Sequence, residues 1–164
     1  MQLTGKQIVK NGIVGNYCEK GVQQQGVDVR IDALYSLPYN SYGQVPAEGK
    51  TYIPKRGQQI LGEGITTVNS GYYEVEMMES CKIPNDAVLN FKTRSSLVRC
   101  GALVHSGQFD AGFETEKMGC YLQVLRPILI ERGARIAQAI VTTSYPVDTE
   151  DLYNGQFQND KQRG

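Results

Sequence analysis

The feature that most constrains the fold is a series of short segments in which apolar and polar residues alternate, separated by turn-forming residues. Residues 27–32 (VDVRID) and 73–77 (YEVEM) alternate in the way expected of half-buried β-strands. Further strand candidates cover residues 87–91, 102–104, 121–125 and 135–141. Because many short strands with almost no helix must bury their apolar faces in a closed or double-layered sheet, the pattern predicts an all-β barrel or sandwich.

The two ends of the chain differ from this pattern. Thr4 followed by Gln7 has the form of a capping box, and Gly12 offers a stop, so a short helix is predicted over residues 5–11. From about residue 148 the sequence becomes polar and keeps few apolar residues, so 148–164 is predicted to be a mobile or exchanged arm. The length of 164 residues predicts one domain, 1–164, that includes this arm.

Charge and cysteine content narrow the class of protein. The 17 basic and 17 acidic residues form no basic stripe, which argues against a duplex nucleic-acid partner. No apolar run approaches the roughly 20 residues that span a bilayer, and the N-terminus lacks the apolar stretch of a secretion signal, so no membrane partner is expected. The four cysteines form no CxxC pair and His105 is the single histidine, which disfavours a zinc site and indicates reduced thiols in the cytoplasm.

The RSS segment that begins at Arg94 stands where a predicted strand ends and a helical turn, closed by Gly101, begins. Ser95 or Ser96 can cap this turn. Two hydroxyls, backbone N–H groups and a positive helix end suit a phosphate, and Arg94 and Arg99 add charge-assisted donors. Taken alone, a capped surface turn with solvated arginines is the commoner explanation.

Asp110 lies in residues 107–113 (GQFDAGF), which have the pattern of a hairpin with Ala-Gly at its tip. A carboxylate flanked by Phe109 and Phe113 can be held in a partly dry pocket, where it would orient a water molecule. The local alternative is an Asx-type turn, in which the aspartate side chain bonds its own backbone.

Two further segments carry polar residues on predicted strands. Arg135 and Gln138 follow a turn glycine, and they can either reach phosphate oxygens or lie at the rim of a sheet. Asp28 and Arg30 share one face of their strand, where an ordinary cross-strand ion pair also explains them. No single segment is decisive, so the inference depends on their order and spacing.

Taken in order, these segments resemble the motifs of the dUTPase/dCTP deaminase superfamily. The five matching segments are 26–30 (GVDVR), 93–99 (TRSSLVR), 109–114 (FDAGFE), 133–138 (GARIAQ) and 152–158 (LYNGQFQ). The tail, the N-terminal helix and residues 82–86 (KIPND) resemble the branch of dCTP deaminases and archaeal-type dUTPases. The resemblance covers nearly the whole chain, and residues 36–71, rich in Gly, Pro, Tyr, Ser and Asn, are its least alignable part.

The resemblance implies a distorted, jelly-roll-like β-barrel that assembles as a homotrimer, with active sites between subunits. The implied substrate is a deoxynucleoside triphosphate that carries Mg²⁺, and the implied reaction is hydrolysis of dUTP to dUMP and pyrophosphate. By position, Asp110 orients the water that attacks the α-phosphorus. No residue is expected to bind the metal directly, and Asp28 is the candidate for a contact through water.

The resemblance also implies a set of substrate-binding residues. Its members are Arg94, Ser95, Ser96 and Gln138 at the phosphates, Arg99 from a neighbouring subunit, Phe113 against the deoxyribose, Phe157 over the base, Lys161 or Arg163 at the γ-phosphate, and Ser106, Phe109 and Tyr153.

Deamination by the same fold is the first alternative. Family deaminases use a Glu, on the strand after the third motif, as a proton shuttle, and that place falls here on Gly119 or Cys120. Glu114 and Glu116 lie too near Asp110 and are interpreted as solvated. The missing carboxylate favours dUTP hydrolysis, with dCTP deamination, alone or coupled to hydrolysis, as the alternative.

A non-catalytic barrel trimer with a binding, regulatory or structural role is the alternative from another class. Such a module occurs, for example, in a virus, where the location would be the host cytoplasm. The Tyr-rich stretch 35–73 and the departures around Thr115 motivate it. The enzyme is favoured by the joint presence of Asp110, Arg94, Ser96, Arg99 and Gln138.

Overall fold

The computed structural model describes residues 1–158, which form eleven β-strands and two short α-helices. The helices are α1 (Gly5–Lys10) and α2 (Ser95–Cys100), and short 3₁₀ turns cover Glu19–Gly21 and Thr149–Asp151. The strands are β1 (Val14–Gly15), β2 (Val27–Tyr35), β3 (Ile65–Val68), β4 (Gly71–Met77), β5 (Ser80–Lys82), β6 (Ala87–Thr93), β7 (Ala102–His105), β8 (Glu114–Thr115), β9 (Gly119–Val124), β10 (Ile128–Glu131) and β11 (Arg135–Thr143).

Six strands form the main sheet, in the order β6-β11-β2-β4-β9-β7, and every neighbouring pair is antiparallel. The two edge strands approach each other, since the backbone N–H of Val104 donates to Thr93 Oγ1 at 2.9 Å. Leu89 of β6 also pairs with Phe109, just beyond β7. The sheet is therefore nearly closed, and the predicted all-β barrel is confirmed. A three-stranded sheet, β1-β5-β8, and a pair, β10-β3, complete the fold.

The central strand β2 is buried on both faces, so the prediction of a half-buried strand was wrong. Its polar residues Asp28 and Asp32 are only 2% and 7% exposed. Asp28 pairs with arginines, and Asp32 pairs with Lys117 and Arg132. The alternating residues of β2 therefore form one apolar face in the core and one face of ion pairs. The second face can be buried because an opposite charge neutralises each carboxylate.

The two helices differ in how well the sequence predicted them. The capping box of Thr4 and Gln7 forms as expected at the start of α1. At α2 the residue before the helix is Arg94 and no side chain caps it, so the predicted serine cap was wrong. Gly101 ends α2 as predicted, in the left-handed conformation (φ 94°). No residue of α2 is buried, so this helix lies on the surface of the single chain.

The prediction that residues 36–71 consist mainly of loops is confirmed. Within this segment the structure has only β3 and the first residue of β4 as strand. One isolated bridge, Tyr35 with Gln59, joins this segment to the end of β2, and a second, Gln44 with Tyr52, pairs two parts of the segment with each other. Its second half leads residues 52–56 to the open face of β4 and β9. Within residues 1–158, no helix is long and apolar enough to cross a membrane.

The Asp32 ion pairs make the stability depend on pH. Burial alone would raise the pKa of Asp32, but hydrogen bonds from Lys117 and Arg132 outweigh it and hold the pKa below its ordinary 3.8. The stabilisation is full above that value and is lost as the pH falls through the lower pKa of the folded state. We expect Asp32→Asn to lower the free energy of unfolding at pH 7 by about 1 kcal/mol, because both cations are partly solvated.

Urea unfolding at pH 7 and below pH 4 tests this expectation. The difference between the wild type and Asp32→Asn should narrow at the lower pH. The control is Glu63→Gln, since Glu63 is exposed and forms no salt bridge within residues 1–158. A difference for Asp32→Asn that is constant or widens on acidification would contradict the assignment.

Candidate active site

A cleft of about 920 Å³ opens beside the main sheet. Residues 52–56 form one wall, β4 and β9 form its base, and the segment from Ser106 to Phe113 faces them. The cleft brings together six of the predicted site residues, which are Ser106, Phe109, Asp110, Phe113, Tyr153 and Phe157. Grouping them required strand pairings between distant parts of the chain.

Asp110 lies at this cleft and is exposed in the single chain. Its backbone carbonyl accepts from Phe113 N–H at 3.0 Å and closes a turn in which Gly112 has φ 86°. Its side chain accepts instead from Gln108 Nε2, at 2.8 Å on Oδ1. The Asx-type alternative is therefore wrong, because the backbone closes the turn and the carboxylate points to Gln108 and the cleft.

The aromatic residues around Asp110 form a chain of ring contacts. Phe109 is buried and contacts Phe91 at 5.1 Å and Phe113 at 5.4 Å between ring centroids. Phe113 in turn contacts Tyr153 at 5.3 Å. The predicted dry pocket between Phe109 and Phe113 is not formed by one chain, because Phe109 packs into the core while Asp110 faces solvent.

The two arms of the predicted hairpin pair with other strands rather than with each other. Phe109 exchanges backbone hydrogen bonds with Leu89 of β6, and β8 pairs with β5. Gly112 N–H also donates to Ile83 O at 3.0 Å. The turn is thus held between β5 and β6, which fixes the position of Asp110 more firmly than a free hairpin would.

The C-terminal segment packs on this turn within the same chain. Tyr153 N–H donates to Ala111 O at 2.9 Å, and Gln158 Nε2 donates to Gly112 O at 2.8 Å. Gln158 Oε1 accepts from Glu114 N–H at 3.0 Å. These bonds bring Phe157 to the cleft. Mobility and exchange of the arm remain predictions, and Lys161 and Arg163 lie outside the described residues.

A second group of predicted site residues surrounds Asp28. Asp28 Oδ2 lies 3.2 Å from Arg94 Nε and 3.1 Å from Arg135 Nη1, and Gln138 Nε2 donates to Oδ1 at 3.4 Å. Arg30, predicted to share a face with Asp28, pairs elsewhere, with the buried Glu79. Two guanidinium groups against one carboxylate leave a net positive charge, and that suits an anion rather than a metal cation.

Ser95, Ser96 and Arg99 are exposed on α2, next to this second group. Ser96 and Arg135 line a shallow depression of about 500 Å³. Within the described residues 1–158, neither this depression nor the Asp28 group shares a lining residue with the cleft that contains Asp110. One chain therefore presents the predicted phosphate-binding residues and the predicted catalytic carboxylate separately.

The cleft also contains residues that the sequence did not indicate. Glu74 of β4 lines it and is buried, and Arg56 Nε donates to Glu74 Oε1 at 2.9 Å. In the β4-β9 pair, Glu74 lies opposite Tyr121 and Val75 lies opposite Cys120. Glu74 thus places a carboxylate next to Cys120, one of the two positions where a family deaminase would carry its glutamate. The register of strands about 45 residues apart would have been needed to find it.

Cys120 itself does not supply acid or base chemistry. It is 4% exposed and belongs to the apolar core. Burial raises the pKa of the Cys120 thiol far above its ordinary value, and the negative charge of Glu74 raises this pKa further. The thiol therefore stays protonated at neutral pH.

The chain matches known proteins over most of its length. A model of the dCTP deaminase-like family matches residues 2–144. The chain belongs to this family. The superfamily predicted from the motif order is therefore confirmed.

Several curated relatives of this dCTP deaminase-like chain come from archaea. It is 31% identical over 163 residues to the "probable deoxyuridine 5′-triphosphate nucleotidohydrolase" of Aeropyrum pernix, which covers 98% of this chain and 99% of that protein. The protein of the same name from Halobacterium salinarum is 30% identical over 145 residues, which cover 85% of this chain and 84% of that one. The predicted closeness to archaeal-type dUTPases is thereby confirmed.

A solved structure supports the fold. The 2′-deoxycytidine 5′-triphosphate deaminase of Agrobacterium tumefaciens superposes with a TM-score of 0.61 at 18% identity, over 85% of this chain. The dCTP deaminase-like chain spans 47% of the length of that protein. This chain and the Agrobacterium protein share the barrel fold, and at 18% identity the superposition is evidence for the fold alone.

Gly112 tests whether the C-terminal segment lies on the turn of its own chain. An added Cβ would lie 2.8 Å from Leu152 Cβ, at a φ of 86°. We expect Gly112→Ala to weaken the docked segment by about 1–2 kcal/mol. Chymotrypsin should then cleave after Tyr153 and Phe157 about five to thirty times faster. Gly64→Ala is the control, because Gly64 also has a positive φ (75°) but its added Cβ would meet nothing within 4 Å. Equal cleavage of both variants would contradict the docking.

Proposed function

We propose that this chain hydrolyses dUTP to dUMP and pyrophosphate. The observation that carries the proposal is Asp110, an exposed carboxylate that is oriented by Gln108 at the mouth of an aromatic-lined cleft. The names of the archaeal relatives, deoxyuridine triphosphate nucleotidohydrolases, support the same activity.

Asp110 is the residue that orients the attacking water. A carboxylate accepts a hydrogen bond from water and so directs an oxygen lone pair at phosphorus. Gln108 uses one amide N–H to hold Oδ1, at 2.8 Å, so the carboxylate enters the reaction with little freedom to rotate. Attack on the α-phosphorus breaks its bond to the bridging oxygen, and pyrophosphate leaves with that oxygen.

The phosphates bind to the second group of residues. Arg94 and Gln138 are held by Asp28, and the exposed Ser95, Ser96 and Arg99 add donors beside them. Phosphoryl transfer depends on positioning and charge neutralisation, which this arrangement supplies. Asp28 acts in this proposal by orienting arginines.

Magnesium belongs to the substrate in this mechanism. Within residues 1–158, no group of three or more His, Cys, Asp or Glu side chains could hold a metal ion. Both oxygens of Asp28 already accept from cationic or amide donors, so they do not fit a direct metal ligand. The ion is carried by the triphosphate, whose charge it reduces.

The site is completed by a second copy of the chain, in a homotrimer. The phosphate-binding residues and Asp110 are separated within one chain, and a subunit interface can bring the two groups together. Ile65 and Leu129, which line the depression that contains Ser96, are 66% and 71% exposed. Apolar side chains beside functional ones are typical of a surface that another subunit covers.

The aromatic residues of the cleft bind the sugar and the base. Phe113 faces the deoxyribose, where a 2′-hydroxyl would collide, and Phe157 closes over the pyrimidine from the docked segment. Tyr153, Phe109 and Ser106 complete this wall. Lys161, outside the described residues, is the proposed contact of the γ-phosphate. The reduced cysteines support work in the cytoplasm, or in the host cytoplasm for a viral protein.

Deamination of dCTP is the second candidate, because Glu74 places a carboxylate at the cleft. A deaminase carboxylate must accept a proton and return it. Glu74 Oε1 is instead bonded to Arg56, which favours a structural role for this carboxylate. Release of ammonia from dCTP would support deamination.

Asp110→Asn tests the hydrolase directly. We expect pyrophosphate release from dUTP with Mg²⁺ to fall at least about 100-fold, since the amide cannot orient and activate water as a carboxylate does. Glu116→Gln is the matched control, an exposed acid six residues away, and it should retain the wild-type rate. Equal rates for Asp110→Asn and the wild type would overturn the role of Asp110.

Mixed subunits test the site between copies. Asp110→Asn and Arg94→Ala should each be inactive alone. Refolded together in equal amounts, they should regain about a quarter of the wild-type activity, because each side of an interface carries its intact residue about half the time. A mixture as inactive as its parents would place the whole site within one chain.

A dUTP analogue with a nitrogen bridge between its α- and β-phosphates separates the enzyme from the non-catalytic module. Calorimetry should detect binding to the wild type. A trimer that does not bind this analogue would support the regulatory or structural alternative.

A further inference from the structure

Arg56 is an unusual arginine in the wall of the cleft. Its Nε donates to Glu74 Oε1 at 2.9 Å, its Nη1 donates to Glu76 Oε2 at 2.5 Å, and its guanidinium carbon lies 4.5 Å from the centre of the Tyr35 ring. The remaining nitrogen, Nη2, is buried and has no hydrogen-bond partner. Within residues 1–158, no other buried side-chain nitrogen or oxygen lacks one.

An unpartnered buried donor is costly, so its presence at a cleft points to a missing acceptor. Burial would lower the pKa of Arg56, but the hydrogen bonds to Glu76 and Glu74 outweigh it and the pKa is raised. The guanidinium stays charged, and it can donate but never accept. Whatever completes Nη2 must therefore present an oxygen or a bare nitrogen.

The surroundings of Arg56 fit a flat heterocycle. Tyr121 of β9 lines the same cleft and stacks on Tyr72 with ring centroids 5.1 Å apart. Gly119 lies opposite Glu76 in the β4-β9 pair, and with no side chain it leaves room above the sheet. Phe113 supplies a further aromatic edge. A cleft with aromatic walls and a fixed guanidinium donor is suited to a base that exposes an acceptor.

We propose that Arg56 Nη2 donates a hydrogen bond to O4 of uracil, and that this bond selects uracil over cytosine. The inference rests on the proposed function, since it takes dUTP as the substrate. Cytosine carries an amino group at the same position, so two donors would face each other there. A site built to bond one polar group discriminates strongly against an analogue that lacks it.

Glu74 and Glu76 are positioning residues in this arrangement. They accept from two sides of the guanidinium fork and thereby aim its third nitrogen. Because a guanidinium is planar, fixing Nε and Nη1 also fixes the direction of the Nη2 donors. The selectivity therefore comes from the loop segment 52–56, which lies within residues 36–71, the least alignable part of the chain.

Binding of three analogues tests the proposal at the level of one atom. Calorimetry with Mg²⁺ would use non-hydrolysable dUTP, non-hydrolysable dCTP, and the matching 2-pyrimidinone nucleotide, which lacks any group at position 4. We expect the wild type to bind the uracil analogue at least about ten times more tightly than either of the others. Arg56→Met should bind the uracil and pyrimidinone analogues equally, and its uracil-to-cytosine preference should shrink by the same factor.

Arg132→Met is the control, because Arg132 is also held by a carboxylate but does not line the cleft. It should keep the uracil preference. If Arg56→Met retains the full preference for uracil over cytosine, Arg56 does not recognise the base. The proposal of dUTP hydrolysis would be unaffected by that result. If the wild type binds no analogue, both proposals fall.

Thermal unfolding shows whether Arg56→Met is folded. Should that variant not fold, Arg56→Lys replaces it. Lysine keeps the charge beside the two carboxylates but loses the planar fork, so the uracil preference should again fall. Equal affinity of the wild type for the uracil and pyrimidinone analogues would overturn the proposal without any variant.

Discussion

Asp28 is the buried carboxylate that holds the proposed phosphate-binding residues against the barrel. It is 2% exposed on the central strand of the sheet, and it accepts from Arg94, Arg135 and Gln138, which come from the end of β6 and from β11. A buried carboxylate is tolerated only while cations neutralise it, so folding of the sheet forces these side chains together. The two positive charges of the arginines exceed the single negative charge of Asp28. The remaining positive charge lies at the surface, where an anion can bind.

That constraint also bears on the proposed homotrimer. The arginines are tied to β2 and β11, whereas Asp110 is tied to a turn held between β5 and β6. Neither can move to the other without breaking backbone pairing, so one rigid chain keeps them apart. In the proposed homotrimer, a second copy of the chain brings the two groups together. The surface helix α2, with no buried residue, and the exposed Ile65 and Leu129 are what a chain designed to be covered would show.

Local patterns predicted the elements well and their environments poorly. The capping box at Thr4, the stop at Gly101 and the strand positions depend on neighbours in sequence, and they were recovered. The burial of β2 was mispredicted, because Asp28 and Asp32 are neutralised by residues about 65–107 positions away. Motif order named six residues that the structure brings together at the cleft. Arg56 and Glu74 were missed because only the register of β4 on β9 and the path of a loop bring them there.

Hydrolysis and deamination require different carboxylates, and the two carboxylates at the cleft, Asp110 and Glu74, have different surroundings. Attack on phosphorus needs a carboxylate open to water, as Asp110 is. Deamination needs a carboxylate that changes protonation beside the base. At that wall the Cys120 thiol stays protonated, and Glu74 is engaged by an arginine that holds its charge. The proposed hydrolysis fits this cleft better than deamination does, because Glu74 is held in an ion pair with Arg56 while Asp110 faces water.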